Sequence, residues 1–195
     1  MAIKLKKDKN ASKVAEAPSN GFDPLPKGKY EATIFDAELR EFGPKSKNAG
    51  DPGYNIQFRI SEGEFTNRRL FTSPAILLAG VWASGADNFA LFNFLEAVQV
   101  PYVAETGVID GSEGKALKNA EIRKMYRTLE GGIELPDPEW LLGRPIGLSV
   151  GLSKSTDQYP DVRNTINSYL VAGSAGSGGG TKNAGLADLD ALEEL

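Results

Sequence analysis

Tyr54-Asn55-Ile56-Gln57-Phe58-Arg59-Ile60 places apolar residues on even numbers and polar residues on odd ones. Alternation with a period of two predicts a half-buried antiparallel strand, with one face on a core and the other in water. Before it lies a turn-rich connection, Gly43 to Gly53, which carries Lys45 and Lys47 and no apolar anchor beyond Ala49. Before that again, a turn at Pro26-Lys27-Gly28 launches a first strand over roughly 29–42. Ile34 and Phe35 are adjacent apolars, and Ala37 and Leu39 continue in the phase of Phe35, so a bulge or bend is expected near 34–35. After the alternating strand, Ser61-Glu62-Gly63-Glu64 turns the chain into a third strand over about 65–71, which brings in Arg68 and Arg69.

Helical patterning follows. Ser73 before Pro74 reads as an N-cap with proline at the first helical position, and Gly85 as the end of that helix. A second helix over 87–98 stripes Leu91, Phe94, Leu95 and Val98 on one face. A short helix is expected over 117–129, and a single helical turn over 139–143. Two strands close the domain: one alternates Ile146, Leu148, Val150 and Leu152 with Gly and Ser, and the other spans 162–171. Three strands, a helical insert (about 73–143) and two strands is the order of a five-stranded OB-fold barrel, a mainly β architecture. That fold presents its second and third strands, its first–second loop (43–53) and its fourth–fifth loop (154–161) to single-stranded nucleic acid.

Composition narrows the chemistry. The 195 residues include no cysteine and no histidine, which removes disulfides, thiolate chemistry, Ser-His triads and the commonest zinc sites. None of the 26 acids stands out as a spaced catalytic pair, so the expectation is a protein that is not an enzyme and needs no cofactor or metal. No apolar run nears the roughly 20 residues of a membrane span, and no signal peptide is visible, so a cytoplasmic protein without a membrane partner is expected. The net charge of −4 divides unevenly: +3 over residues 1–20, −4 over 21–172 and −3 over 173–195. A binding groove needs local positive potential rather than a basic average. Residues 1–22 read as a basic flexible arm, 23–172 as the domain, and 173–195 as a Gly/Ser linker with an acidic tip.

Several short runs resemble the bacteriophage-encoded single-stranded DNA-binding proteins. They are Leu-Pro-Lys-Gly-Lys-Tyr-Glu-Ala-Thr-Ile (25–34), Gly43-Pro44-Lys45-Ser46-Lys47, Tyr54-Asn55-Ile56-Gln57-Phe58, Leu142-Gly143-Arg144-Pro145-Ile146 and Asn164-Thr165-Ile166. The resemblance implies an OB fold, DNA binding without sequence preference and a role in phage replication or recombination, in the host cell cytoplasm. It also implies a C-terminal tail that recruits replication or recombination partners. The tail here interleaves Asp188, Asp190, Glu193 and Glu194 with Leu186, Leu189, Leu192 and Leu195, and ends in Glu-Glu-Leu where bacterial counterparts end in Pro-Phe.

Single-strand binding needs cations along the phosphates and flat side chains under the bases. The cationic candidates are Lys45, Lys47, Arg59, Arg68, Arg69, Lys154 and Arg163, with Gln57 beside Arg59 on the polar face of its strand. Tyr54, Tyr159 and Phe42 are the stacking candidates, although Tyr54 shares the apolar phase of its strand and suits a core equally. Trp82, Trp140, Phe89, Phe92 and Phe94 read as core of the insert. Arg123, Lys124 and Arg127 read as an exposed helical face balanced by Glu121 and Glu130, with a DNA role as the alternative. Competing functions are a structural or virion module on the same fold, a metal-dependent nuclease using only Asp and Glu, and an annealing-type recombination protein. Homo-oligomerisation is left open.

Overall fold

The computed structural model describes residues 23–174 other than Ser73, Ala83 and 155–161. In chain order it forms β1 (Gly28–Glu41), β2 (Pro52–Ile60), β3 (Arg69–Phe71) and β4 (Ile76–Leu77), then α1 (Phe89–Ala97), β5 (Pro101–Tyr102) and β6 (Lys115–Ala116). It continues with α2 (Asn119–Thr128), α3 (Pro138–Leu141), β7 (Pro145–Leu152) and β8 (Asn164–Leu170). The protein is mainly β. One antiparallel sheet runs β3-β2-β1-β7-β8, with β4 also paired to β2, and β5 and β6 form a small separate ladder.

β1 serves two neighbours. Gly28 to Thr33 pair with β7, whereas Ala32 to Glu41 pair with β2. The register with β2 slips between Ile34, opposite Phe58, and Asp36, opposite Gln57, so Phe35 is the extra residue of a bulge. A bulge bends and twists its strand, which lets one strand feed both halves of a curled sheet. The run 142–146 braces this point. Ile34 N–H donates to the Arg144 carbonyl (3.0 Å), and Gly143 N–H donates to the Ile34 carbonyl (2.9 Å). Gly143 has φ +74°, a conformation that glycine adopts without the Cβ penalty.

The alternation of β2 holds as expected: Tyr54, Ile56, Phe58 and Ile60 are buried while Asn55, Gln57 and Arg59 face outward. Across the interior, Phe58 meets Tyr169 of β8 (6.1 Å between centroids), Tyr169 meets Phe94 of α1 (5.3 Å), and Phe94 meets Tyr54 (6.0 Å). The sheet therefore curls until β2 and β8 touch through side chains. Among the described residues no backbone pairing joins them, so the closed barrel expected from the strand order is not formed. Leu91, Phe94, Leu95 and Val98, the stripe read from the sequence, are all buried beneath α1.

The sequence-based elements shift in two places. The third strand shrinks to Arg69–Phe71 because Glu64 to Asn67 form a turn, with Asn67 at φ +70° and its N–H on the Ile60 carbonyl (2.9 Å). The helix expected to start at Pro74 and end at Gly85 does not form; Ser73, its expected cap, lies outside the described residues. Ile76 and Leu77 pair with Tyr54 and Gly53 instead. The buried Asn88 carboxamide takes the Leu77 and Ala79 carbonyls (2.8 and 2.9 Å), which a helix would have kept for its own backbone. The helices at 87–98, 117–129 and 139–143 appear within one or two residues of their expected limits as α1, α2 and α3. No helix among the described residues is long and apolar enough to cross a membrane.

Candidate nucleic-acid interface

The outward side chains of β1, β2 and β3 make one surface. On β3, Leu70 points inward opposite Phe58, so Arg69 and Phe71 point outward opposite Arg59 and Gln57. The bulge turns Phe35 to the same side, where its ring is 38 % exposed. The Arg69 guanidinium lies 4.2 Å from the centre of that ring and the Arg59 guanidinium 5.2 Å. Each such contact contributes roughly 0.5–1 kcal/mol at an exposed site. Beside them Phe71 is 54 % exposed. Two flat rings and two guanidiniums thus share one patch of sheet.

The charges on this surface are unevenly satisfied. Gln57 Nε2 donates to Asp36 (3.1 Å). Asn55 Nδ2 donates to Glu38 (2.7 Å), and Arg40 pairs with the same carboxylate (2.7 Å). The Asn55 hydrogen bond, with Arg40 in support, holds the exposed Glu38 carboxyl below its usual range. Glu31 accepts the Gly173 N–H (3.0 Å). Each outward acid of β1 is therefore engaged. Arg59 and Arg69 have no carboxylate within ion-pair distance among the described residues. They also face each other directly across the ladder, an arrangement that costs energy for like charges. An incoming anion relieves that repulsion.

The sequence candidates separate into those the fold gathers and those it does not. Gln57, Arg59 and Arg69 stand together. Arg68, one residue before β3, is half-buried and donates to the Asp23 carbonyl. Tyr54 leaves the surface altogether: it is 1 % exposed, its hydroxyl donates to the Pro136 carbonyl, and burial pushes its phenol pKa up. Its stacking role is corrected to a core one, as its apolar phase allowed. Phe42 is half-buried, with its ring pressed on Gly53, where an added Cβ would lie 2.8 Å away. Lys45 and Lys47 are exposed in the β1–β2 loop, seven rungs or about 23 Å along the ladder from Arg59. Lys154 is exposed just past β7. Arg163 is exposed too, and its backbone N–H donates to Ser153 Oγ (2.9 Å). Tyr159 lies outside the described residues. So do the tail residues Asp188, Leu189, Asp190, Leu192, Glu193, Glu194 and Leu195.

Two members of the basic cluster of α2 pair with a residue other than the expected Glu121 and Glu130. Arg123 (3.3 Å) and Arg127 (2.6 Å) both reach Asp87, and Arg123 also covers the ring of Phe89 at 5.0 Å. Phe89, read as core, is half exposed, while Phe92 and Phe94 are fully buried and Trp82 and Trp140 half-buried. Arg144 covers Trp140, donating Nε to its carbonyl (2.9 Å), and burial lowers the guanidinium pKa.

Sequence reasoning missed Phe35 and Phe71. An aromatic in the outward phase was the available signal, but Phe35 sits on the bulge and Phe71 on a three-residue strand, where phase is hardest to read. Among the described residues no group of three or more Asp or Glu is placed to hold a metal ion. No protein-family model matches the chain, and no curated protein matches it.

Proposed function

We propose that this chain is a single-stranded DNA-binding protein of the bacteriophage-encoded kind, coating exposed strands during replication or recombination without reading their sequence. The observation that carries the proposal is the Phe35–Arg59–Arg69 cluster, with an aromatic ring open to solvent and guanidiniums that lack carboxylate partners among the described residues, on a surface where Glu31, Asp36 and Glu38 are engaged elsewhere. Bases stack on Phe35 and Phe71, each contributing about 1–3 kcal/mol, while Arg59 and Arg69 hold the flanking phosphates. Stacking accepts any base, which suits a coating role. The strand order supports an OB-type assignment: a long bent first strand is shared between β2 and β7, with β3 and β8 at the two ends of the curled sheet. On this reading the protein is not an enzyme, and the acidic tail docks partner proteins.

The test is fluorescence anisotropy of labelled oligo-dT at two salt concentrations, with duplex DNA as competitor. The expected result is tight single-strand binding, weak competition by duplex, and a logarithmic salt slope near −0.7 per phosphate held. No binding at low salt removes the reading. The exposed Phe35 and Phe71, side by side on the outer face, would then favour a protein-docking surface in a structural module.

A further inference from the structure

Beyond the ring of Phe35, the outer face continues along β1 toward its N-terminal end, through Thr33 and Glu31 to Lys29. There a cleft of about 420 Å³ opens between β1, β7 and β8, lined by Lys27, Gly28, Lys29, Ser149, Val150, Gly151, Leu152 and Asn167. Its lining holds two lysines and no acid, in a chain with more acids than bases. Both lysines are exposed, and neither is ion-paired among the described residues. The floor is small. Gly28 and Gly151 carry no side chain, and Ser149 stands opposite Lys29 in the ladder.

A second bulge completes the cleft. The β7–β8 register slips so that Val150 faces Ile166 and Ser149 faces Ser168, leaving Asn167 as the extra residue. Its carboxamide lies over Gly151, so close that a Cβ there would come within 2.6 Å of it. The amide oxygen accepts from Thr165 Oγ1 (3.2 Å), and no acceptor among the described residues takes the amide NH2. Two lysines and an amide donor therefore line one cleft, with the Asn167 carboxamide covering Gly151.

We propose that this cleft is a second anchor for the strand held at Phe35, gripping its phosphates through Lys27, Lys29 and the Asn167 amide. The proposal rests on the single-strand-binding reading and adds where the strand runs. Lys29 is six residues from Phe35 along β1, or about 20 Å at ~3.3 Å per residue. At the ~3.4 Å per nucleotide of a stacked strand, that span is about six nucleotides. The strand then runs along β1 and leaves toward Lys154. Glu31 lies between the anchors with its carboxylate held by the Gly173 N–H, so the phosphates pass to one side of it.

The test measures the salt dependence of dT20 binding for the full chain and for Lys27→Ala/Lys29→Ala. Two lost phosphate contacts make the logarithmic slope shallower by about 1.4, equally for dT20 and dC20. Lys27→Arg/Lys29→Arg restores the slope, and Lys115→Ala/Lys118→Ala, which removes the same charge from the far β5–β6 region, leaves it unchanged. An unchanged slope in Lys27→Ala/Lys29→Ala overturns the anchor while leaving the Phe35 site standing. An equal loss in the Lys115/Lys118 variant overturns it too, by showing only the effect of net charge. If the unaltered chain fails to bind dT20, the single-strand-binding reading falls and takes the anchor with it.

Discussion

Arg59 and Arg69 face each other across the β2–β3 ladder, and both guanidiniums come to rest over the ring of Phe35. Among the described residues neither has a carboxylate partner. An anion placed between two such charges would relieve their repulsion.

Phe35→Ala should weaken oligo-dT binding by about 1–3 kcal/mol, or roughly 5- to 150-fold. The ring is outward and not part of the core, so its loss removes only the two guanidinium contacts, roughly 0.5–1 kcal/mol each, and the thermal midpoint should fall by a few degrees at most. Anisotropy titration and a thermal melt on the same sample check both halves. A large loss of stability would show that the ring supports the fold rather than a ligand.

Arg59→Ala and Arg69→Ala should each make the logarithmic salt slope of binding shallower by about 0.7. Removing one of two facing like charges should leave the free protein's urea midpoint unchanged or slightly higher. A lowered midpoint in both variants would mean that the pair stabilises the empty protein, against the expectation.

Asn88→Ala should destabilise the protein by roughly 2–4 kcal/mol. Its side chain caps α1 by accepting from Leu91 N–H (3.3 Å), a contact typically contributing about 1 kcal/mol. Its loss also strands the buried Leu77 carbonyl, at about 1–3 kcal/mol for an unsatisfied group, while the half-buried Ala79 carbonyl can turn to water. Urea unfolding measures the sum. Asn88→Asp, which keeps the cap but sets a buried carboxyl group against the two carbonyl oxygens, should cost at least as much.

Alkaline pH should unfold the protein cooperatively. Burial raises the phenol pKa of Tyr54, Tyr102 and Tyr169 above the ordinary value near 10. A group with a raised folded pKa gives stability that is fully present below its unfolded pKa and is lost as pH rises through the folded one. Through these three groups, stability should be unchanged between neutral pH and about 10 and decline above it. Tyrosinate absorbance for these three should appear together with the loss of sheet, rather than ahead of it.

Local patterns were readable where both faces of an element leave a trace in the sequence. The β2 alternation, the α1 stripe and the double apolar at 34–35 are of that kind. Elements fixed by distant partners were not. Ile76 and Leu77 carry no period of their own, and their strand exists because β2 offers an edge and Asn88 claims the nearby carbonyls. The partner of Arg123 and Arg127 is 36 and 40 residues away, whereas spacing pointed to the near acids of their own helix. At the candidate site, Arg59 and Gln57 followed from strand phase. Arg68 and Arg69 could not be told apart without knowing that β3 is three residues long.

The bulge at Phe35 has one more implication. Without that residue, β1 alternates cleanly: Tyr30, Ala32, Ile34, Ala37 and Leu39 in one phase, and Lys29, Glu31, Thr33, Asp36 and Glu38 in the other. The strand needs no aromatic there to find its register. A chain shortened by that one position should keep the facing of every other β1 side chain but lose the bend through which β1 serves both β2 and β7, so the curl of the sheet and the exposed ring depend on the same residue.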